Sequence, residues 1–228
     1  MSRKFDLAGV SVMLAMPVHR DIPAATVASL IETQAVVAKR NIDLEIRLQV
    51  GSSAVSHVRT TTAAQFLDSK HTHLFWIDSD IVWEPDSFLR LLALATKLEC
   101  VCAIYPAKAE PPTFFIGNDG TPGQLEANEY GCLEIGGCGI GFSVFQRKVI
   151  EELAEKAPKA KFPGIDKPIP YLFRFDIHNG DARGEDMAFF ADVRALGYRI
   201  NLDPTVTLGH VGTKEYRAAI QDYLTKIT

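Results

Sequence analysis

The 228-residue sequence predicts an α/β protein with a doubly wound, mostly parallel sheet and a smaller mixed β region in its second half. Three observations lead there. Val10–Val18 (VSVMLAMPV) and His73–Ile77 (HLFWI) are nearly unbroken apolar runs, the pattern of strands covered on both faces. Helical periodicities separate the strand-like runs, so that strand and helix alternate three times before a fourth strand. After Pro106 the alternation stops and proline and glycine become frequent.

Each element follows from local chemistry. Pro17 ends the first strand, and Pro23 opens a helix with Val27, Leu30, Ile31 and Gln34 to Val37 at helical spacing. Asp43–Val50 (DLEIRLQV) alternates as a second strand. Gly51 then turns the chain into a helix from about Ser56 to Leu67, with Ser52 or Ser53 as its cap. Pro85 and Asp86 start a third helix that buries Phe88, Leu91, Leu92 and Ala95, and Cys100–Tyr105 is the fourth strand. Between Leu125 and Phe145 short strands are broken by glycines, and a helix follows from Arg147 to about Lys156. Lys159–Asn179 is punctuated by proline and reads as a mobile loop or lid. A helix from Glu185 to Leu196 turns Phe189, Val193 and Leu196 inward and is closed by Gly197, ahead of terminal strands at Tyr198–Leu202 and Val206–Leu208. The chain reads as one domain over residues 1–228.

Composition narrows the function classes. With 24 Lys+Arg against 28 Asp+Glu the formal charge is −4, which excludes a protein whose affinity rests on a strongly basic surface. A local basic groove from Lys156, Lys159, Lys161, Lys167, Arg174 and Arg183 stays open, against the simpler reading of a solvated loop surface. Arg3 and Lys4 before an apolar run resemble a leader, but Asp6 interrupts it and no small-residue cleavage site follows. Phe88–Pro106 carries Arg90, Lys97 and Glu99 and is too broken to span a bilayer. The chain therefore reads as cytoplasmic and without a membrane span. Cys100, Cys102, Cys132 and Cys138 form no C-x-x-C pair and read as buried thiols.

Three features can carry chemistry. Asp78-Ser79-Asp80 places two carboxylates where a core strand leaves the sheet, an arrangement open to a hard divalent ion and also common in plain surface turns. Gly184-Glu185-Asp186 opens a helix, where acidic residues either satisfy the helix dipole or hold a general base rigidly. His210, flanked by Gly209 and Gly212, is either a structural histidine or a ligand for a borderline ion.

Taken together, Phe75-Trp76-Ile77-Asp78-Ser79-Asp80, Gly136-Gly137-Cys138-Gly139, Gly184-Glu185-Asp186 and His210 resemble, in order and spacing, the GT-A fold glycosyltransferases with a D-x-D motif. The resemblance implies a nucleotide-sugar-binding half (residues 1–106) and an acceptor-binding and catalytic half (107–228). It implies hexosyl transfer from a UDP- or GDP-linked sugar to an acceptor hydroxyl, with Mn2+ or Mg2+. By the same resemblance Asp80 is the direct metal ligand, Asp78 meets ribose or the metal's water shell, and His210 completes the metal site. Asp186 is then the base and Glu185 its supporting neighbour. Pro17 and His19 lie where base and ribose sit, Arg59 helps to hold the donor, and Gly137 lets backbone approach donor or acceptor. Lys214 is either a phosphate clamp on a closing loop or a solvated lysine. Val50-Gly51-Ser52-Ser53 lacks the acidic residue with which many relatives read the nucleotide base, so uridine and guanosine both stay open, as do retention and inversion.

Two rivals are a nucleotidyltransferase and a non-catalytic sugar- or nucleotide-binding module. The first wants a glycine-rich loop after the first strand, and Met16-Pro17-Val18-His19-Arg20-Asp21 has no glycine. The second needs neither Asp186 nor the metal pair. The acceptor stays open among a glycan, a protein, a small molecule and a modified DNA base.

Overall fold

The computed structural model describes residues 6–51, 54–117 and 126–224. Its first half runs β1 (Ser11–Val18), α1 (Ala24–Lys39), β2 (Asp43–Val50), α2 (Val55–Asp68), β3 (His73–Ile77), β4 (Ile81–Val82), α3 (Pro85–Ala95) and β5 (Cys100–Cys102). The second half begins with β6 (Ile116–Gly117), β7 (Leu133–Ile135), β8 (Gly137–Cys138), β9 (Phe142–Gln146) and α4 (Arg147–Lys156). Two small hairpins follow, β10 (Lys159–Ala160) with β11 (Ile169–Pro170) and β12 (Asp176–His178) with β13 (Asp181–Arg183). Then come α5 (Glu185–Ala195), β14 (Ile200–Leu202), β15 (Thr207–Val211), β16 (Glu215–Ala219) and α6 (Ile220–Leu224).

The main sheet has seven strands in the order β2-β1-β3-β9-β5-β14-β7. β1 pairs parallel with β2 and β3, and β5 parallel with β14, while β9 and β7 run against their neighbours. Five strands thus deliver their carboxyl ends to one edge of the sheet, where open α/β sheets bind ligands.

Side-chain alternation explains the layers. Met13, Ala15, Leu74 and Trp76 meet Ala63 and Phe66 of α2, Val149 and Ile150 of α4, and Phe189 and Val193 of α5. Val12, Leu14, Met16, Phe75 and Ile77 point the other way, onto Val37 of α1 and Phe88, Leu91 and Leu92 of α3. The central strands are apolar throughout because neither face meets water. All four cysteines are free and buried, as their pattern predicts, and burial pushes the Cys100 thiol far up and keeps it inert.

The structure departs from the sequence expectations at four places. α1 buries Thr26, Ser29, Thr33 and Val37, whereas Ile31 is 61% exposed. The reason is Trp83, whose backbone N–H donates to Ser29 Oγ (3.1 Å) and whose indole Nε1–H donates to Thr33 Oγ1 (2.8 Å). A helix beside a buried indole needs hydroxyls more than another aliphatic row. The fourth strand stops at Cys102, and α2 is preceded by Ala54, while the capping residues expected there, Ser52 and Ser53, lie outside the described residues. Within Lys159–Asn179, Phe173 is fully buried, stacked on Phe189 (4.4 Å between centroids) and edge-on to Trp76, so the middle of that stretch is pinned to the core rather than free to act as a lid. Finally, the last expected strand runs on to Val211 and pairs with β16, so His210 lies within a strand rather than after one.

Thr33→Val keeps the shape of the side chain but leaves the Trp83 N–H buried without an acceptor. We expect unfolding free energy to fall by about 1–3 kcal/mol, read as a lower urea midpoint at unchanged m-value. An unchanged midpoint would show that the Trp83–Thr33 bond contributes nothing.

Candidate functional site

β3 ends at Ile77, and its last side chains are locked between both helical layers, so Asp78 leaves the sheet from a rigid support. The Asp78 N–H donates to Gly141 O (3.0 Å), and the Ile81 N–H returns to Asp78 O (3.1 Å), which closes a tight turn around Ser79 and Asp80. β15 pairs with β4 so that His210 sits opposite Ile81, and the Val211 N–H donates to Asp80 O (2.8 Å). The hairpin therefore brings His210 to Asp80 through the backbone, with 3.3 Å between His210 Nε2 and Asp80 Oδ2.

Arg59 organises the other side. Its side chain is 3% exposed, and it projects from α2 toward three carboxylates. Nη2 donates to Asp78 Oδ1 (2.7 Å), and Nη1 donates to Glu185 Oε1 (3.2 Å) and to Asp186 Oδ1. Burial alone pulls the guanidinium down, but Asp78 and Asp186 outweigh it and hold Arg59 above its ordinary value. Arg59 Nε is buried without a partner. Asp186 lies at the start of α5, where Gly184 leads into the helix, and its Oδ2 accepts the Ile140 N–H (3.3 Å). Burial pushes its carboxyl up to about 6, with Arg59 opposing and the charges of Asp78 and Glu185 adding to the rise.

The glycine-rich segment has a steric task here. A Cβ on Gly141 would fall 2.3 Å from Asp78 Oδ2, and one on Gly139 would fall 2.4 Å from the Tyr105 hydroxyl oxygen. The two glycines leave room for Asp78 and Tyr105, whose hydroxyl donates to Asp78 Oδ2 (3.3 Å). Gly137 pairs with Gly117 between β8 and β6 and packs against Phe190 and Met187 of α5.

The donor set near Asp80 suits a divalent cation. His210 Nδ1 donates to Pro106 O (2.9 Å), which can only accept, and its Nε2 faces Asp80 Oδ2. Lys108 donates to Asp80 Oδ2 (2.6 Å). Burial pushes the Asp80 carboxyl up, but hydrogen bonds from His210 and Lys108 outweigh it and hold it below its ordinary value. Across the cleft four carboxylates (Asp78, Asp80, Glu185, Asp186) face two cations (Arg59, Lys108), an excess of two negative charges. Among the described residues no three metal-binding side chains converge. Asp80 and His210 would therefore supply two ligands to a divalent ion, the rest having to come from outside the protein. Asp78 is turned instead to Arg59 and Tyr105.

The remaining candidates lie around this centre. Pro17 is half-buried and His19 exposed at the carboxyl end of β1, the sheet edge that also delivers Asp78. Lys214 is exposed, paired with Glu110 and set over the Tyr216 ring. Of the basic residues of the second half, Arg183 pairs with Asp176 (2.6 and 2.7 Å) and Arg174 with Asp192, which leaves neither free for a phosphate backbone. Three residues were not singled out by sequence reasoning. Tyr105 could have been, since it ends the apolar run from Cys100 that the sequence offers as a core strand. Lys108 lies in an irregular proline-rich loop with no motif to mark it, and Phe115, 76% exposed beside Asp186, looks like an ordinary loop apolar residue.

The fold is of the GT-A type. Among solved structures the chain is similar to that of GalNAc-T7 with UDP, GalNAc and Mn2+, with a TM-score of 0.56 and 12% identity over 92% of this chain. It spans 45% of that longer chain. No protein-family model matches the sequence, and no curated protein sequence is significantly similar to it. Among the described residues no helix is long and apolar enough to cross a membrane.

Arg59→Met removes the cation that three carboxylates share. We expect a loss of about 3–5 kcal/mol near neutral pH. The Asp186 carboxyl, raised by burial and no longer opposed by Arg59, then binds its proton more tightly folded than unfolded, so stability is retained at low pH and lost as pH rises through its raised value. Urea unfolding at pH 4 and pH 7.5 should show the smaller deficit at pH 4; equal deficits would mean that the carboxylates do not depend on Arg59.

Proposed function

We propose that the protein is a metal-dependent glycosyltransferase that moves a hexosyl group from a UDP- or GDP-linked sugar to an acceptor hydroxyl. One observation carries the reading: within a GT-A-type fold, the Asp80–His210 donor pair and the Arg59-held Asp186 carboxylate share one cleft at the carboxyl edge of the sheet. The solved neighbour binds UDP and Mn2+, which supports a nucleotide-sugar donor and a divalent ion for this chain as well.

In this reading Asp80 and His210 hold Mn2+ or Mg2+, and a bound ion supplies charge stabilisation for the departing diphosphate. Pro17 and His19 border the nucleoside, and Lys214 stands on the C-terminal hairpin as a phosphate clamp. Asp186 accepts the proton of the acceptor hydroxyl as that oxygen attacks the anomeric carbon. Glu185 and Arg59 fix its orientation, and burial, with the charges of Asp78 and Glu185 adding to it, keeps it basic enough to take the proton. Arg59 also ties Asp78 to the same frame, so the donor side and the acceptor side of the reaction are registered by one side chain.

The test is release of nucleoside diphosphate across UDP- and GDP-hexoses with Mn2+ or Mg2+. Asp80→Ala is expected to abolish turnover, and Asp186→Asn to lower transfer by about 10²–10⁴-fold. Turnover unchanged in both variants and in chelator would overturn the proposal. Bound donor without turnover in the wild type would leave a binding module instead. A base must be unprotonated, so transfer rate should climb as pH passes about 6 and level off above it. Because a base-assisted hydroxyl attacks opposite the leaving group, the product should have inverted anomeric configuration by NMR. Retention would remove the base role from Asp186.

A further inference from the structure

A cavity of about 520 Å3 opens directly over Glu185 and Asp186, within the ~300–1,000 Å3 range of small-molecule sites. Phe114, Phe115, Ile116 and Met187 form its walls, and backbone at Gly117, Gly139 and Gly184 completes it. Two features decide what it can hold. Among the described residues the charged side chains lining it are the two carboxylates, with no lysine or arginine. A carboxylate, sulfate or phosphate entering here would meet two carboxylates against the single Arg59 guanidinium behind them, which Asp78 also engages. The walls are also largely apolar, and Phe115 presents its ring to solvent at 76% exposure, a position that costs water contact unless something covers it.

Resting on the transferase reading above, we propose that this cavity is the acceptor subsite and that it takes an uncharged glycoside. The C–H face of a pyranose ring lies against the Phe115 ring and Met187, while its hydroxyls meet the Glu185 and Asp186 carboxylates as hydrogen-bond donors. Neutral sugars suit both halves of the site, because one ring offers an apolar face and a polar rim. An ammonium-bearing acceptor would pair with Asp186 and block its use as a proton acceptor. The bond made joins the acceptor oxygen to the anomeric carbon, the bond broken is that carbon's link to the diphosphate, and the acceptor proton passes to Asp186. The same wall explains the crowding around β6. A Cβ on Gly117 would fall 2.2 Å from Met187 Cε, so the glycine leaves room for the methionine beside the cavity.

The proposal is tested by saturation-transfer NMR on the whole protein without donor, using methyl glycosides of glucose, galactose, mannose and N-acetylhexosamines, with methyl glucuronide and methyl glucosaminide as charged counterparts. At least one neutral glycoside should receive saturation on its ring C–H protons, the glucuronide should receive none, and the glucosaminide should bind no better than the neutral ligand. Phe115→Ala changes an exposed side chain and leaves the core intact. It should weaken glycoside binding by about ten-fold, the size of one lost ring contact, and raise the acceptor KM more than it lowers kcat. Stronger binding of the glucuronide or glucosaminide, or equal binding by Phe115→Ala, would overturn the assignment. Nucleotide-sugar hydrolysis by the wild type with no glycoside bound would sink this subsite while leaving the transferase reading intact. Glycoside binding without hydrolysis of any donor would do the reverse.

Discussion

The cleft is organised by one buried cation. Arg59 is held in a helix whose neighbours are core residues, and its guanidinium gathers Asp78, Glu185 and Asp186 from two distant parts of the chain. A guanidinium out of water is tolerable only with this much compensation, and three carboxylates out of water are tolerable only with a cation among them. Each side therefore enforces the other. The turn after β3 and the start of α5 cannot move independently, because both end on the same planar fork.

Sheet topology gives that cation something to hold. β9 enters between β3 and β5 and runs against both, which carries the loop before it back across the binding edge. That loop contains Gly139 and Gly141, whose missing side chains are filled by Tyr105 and Asp78. An all-parallel insertion would place its carboxyl end, not its entry, at this edge. The antiparallel strand thus converts a glycine-rich stretch into a close-fitting back wall for the acidic turn.

Much of this was readable from residue pattern, and the exceptions have physical causes. The strands at Ser11–Val18 and His73–Ile77 announce themselves because burial on both faces leaves no polar residue in the run. The acidic turn, the acidic helix start and His210 are visible as local motifs, since each sits at an element boundary. The engagement of the two acidic motifs by Arg59 and Lys108 is not visible, because it depends on side chains far apart in sequence. α1 misleads for a related reason. Its aliphatic spacing competes with a row of small hydroxyl residues, and a tryptophan fifty positions away decides which row turns inward. Proline frequency misleads in Lys159–Asn179, where one buried phenylalanine outweighs it.

Lys108 has a consequence of its own. By lending its ammonium to Asp80, the protein carries an internal counter-ion within the acidic turn. The acidic turn can therefore close on itself during folding without waiting for an ion from solution. Any external cation that engages Asp80 must share or displace a tethered one, so occupancy of the turn is an exchange between competitors rather than the filling of a vacancy. Lys108 stands in the same loop as Glu110, which reaches Lys214 on the C-terminal hairpin. Such an exchange is thereby wired to the outermost strands of the chain.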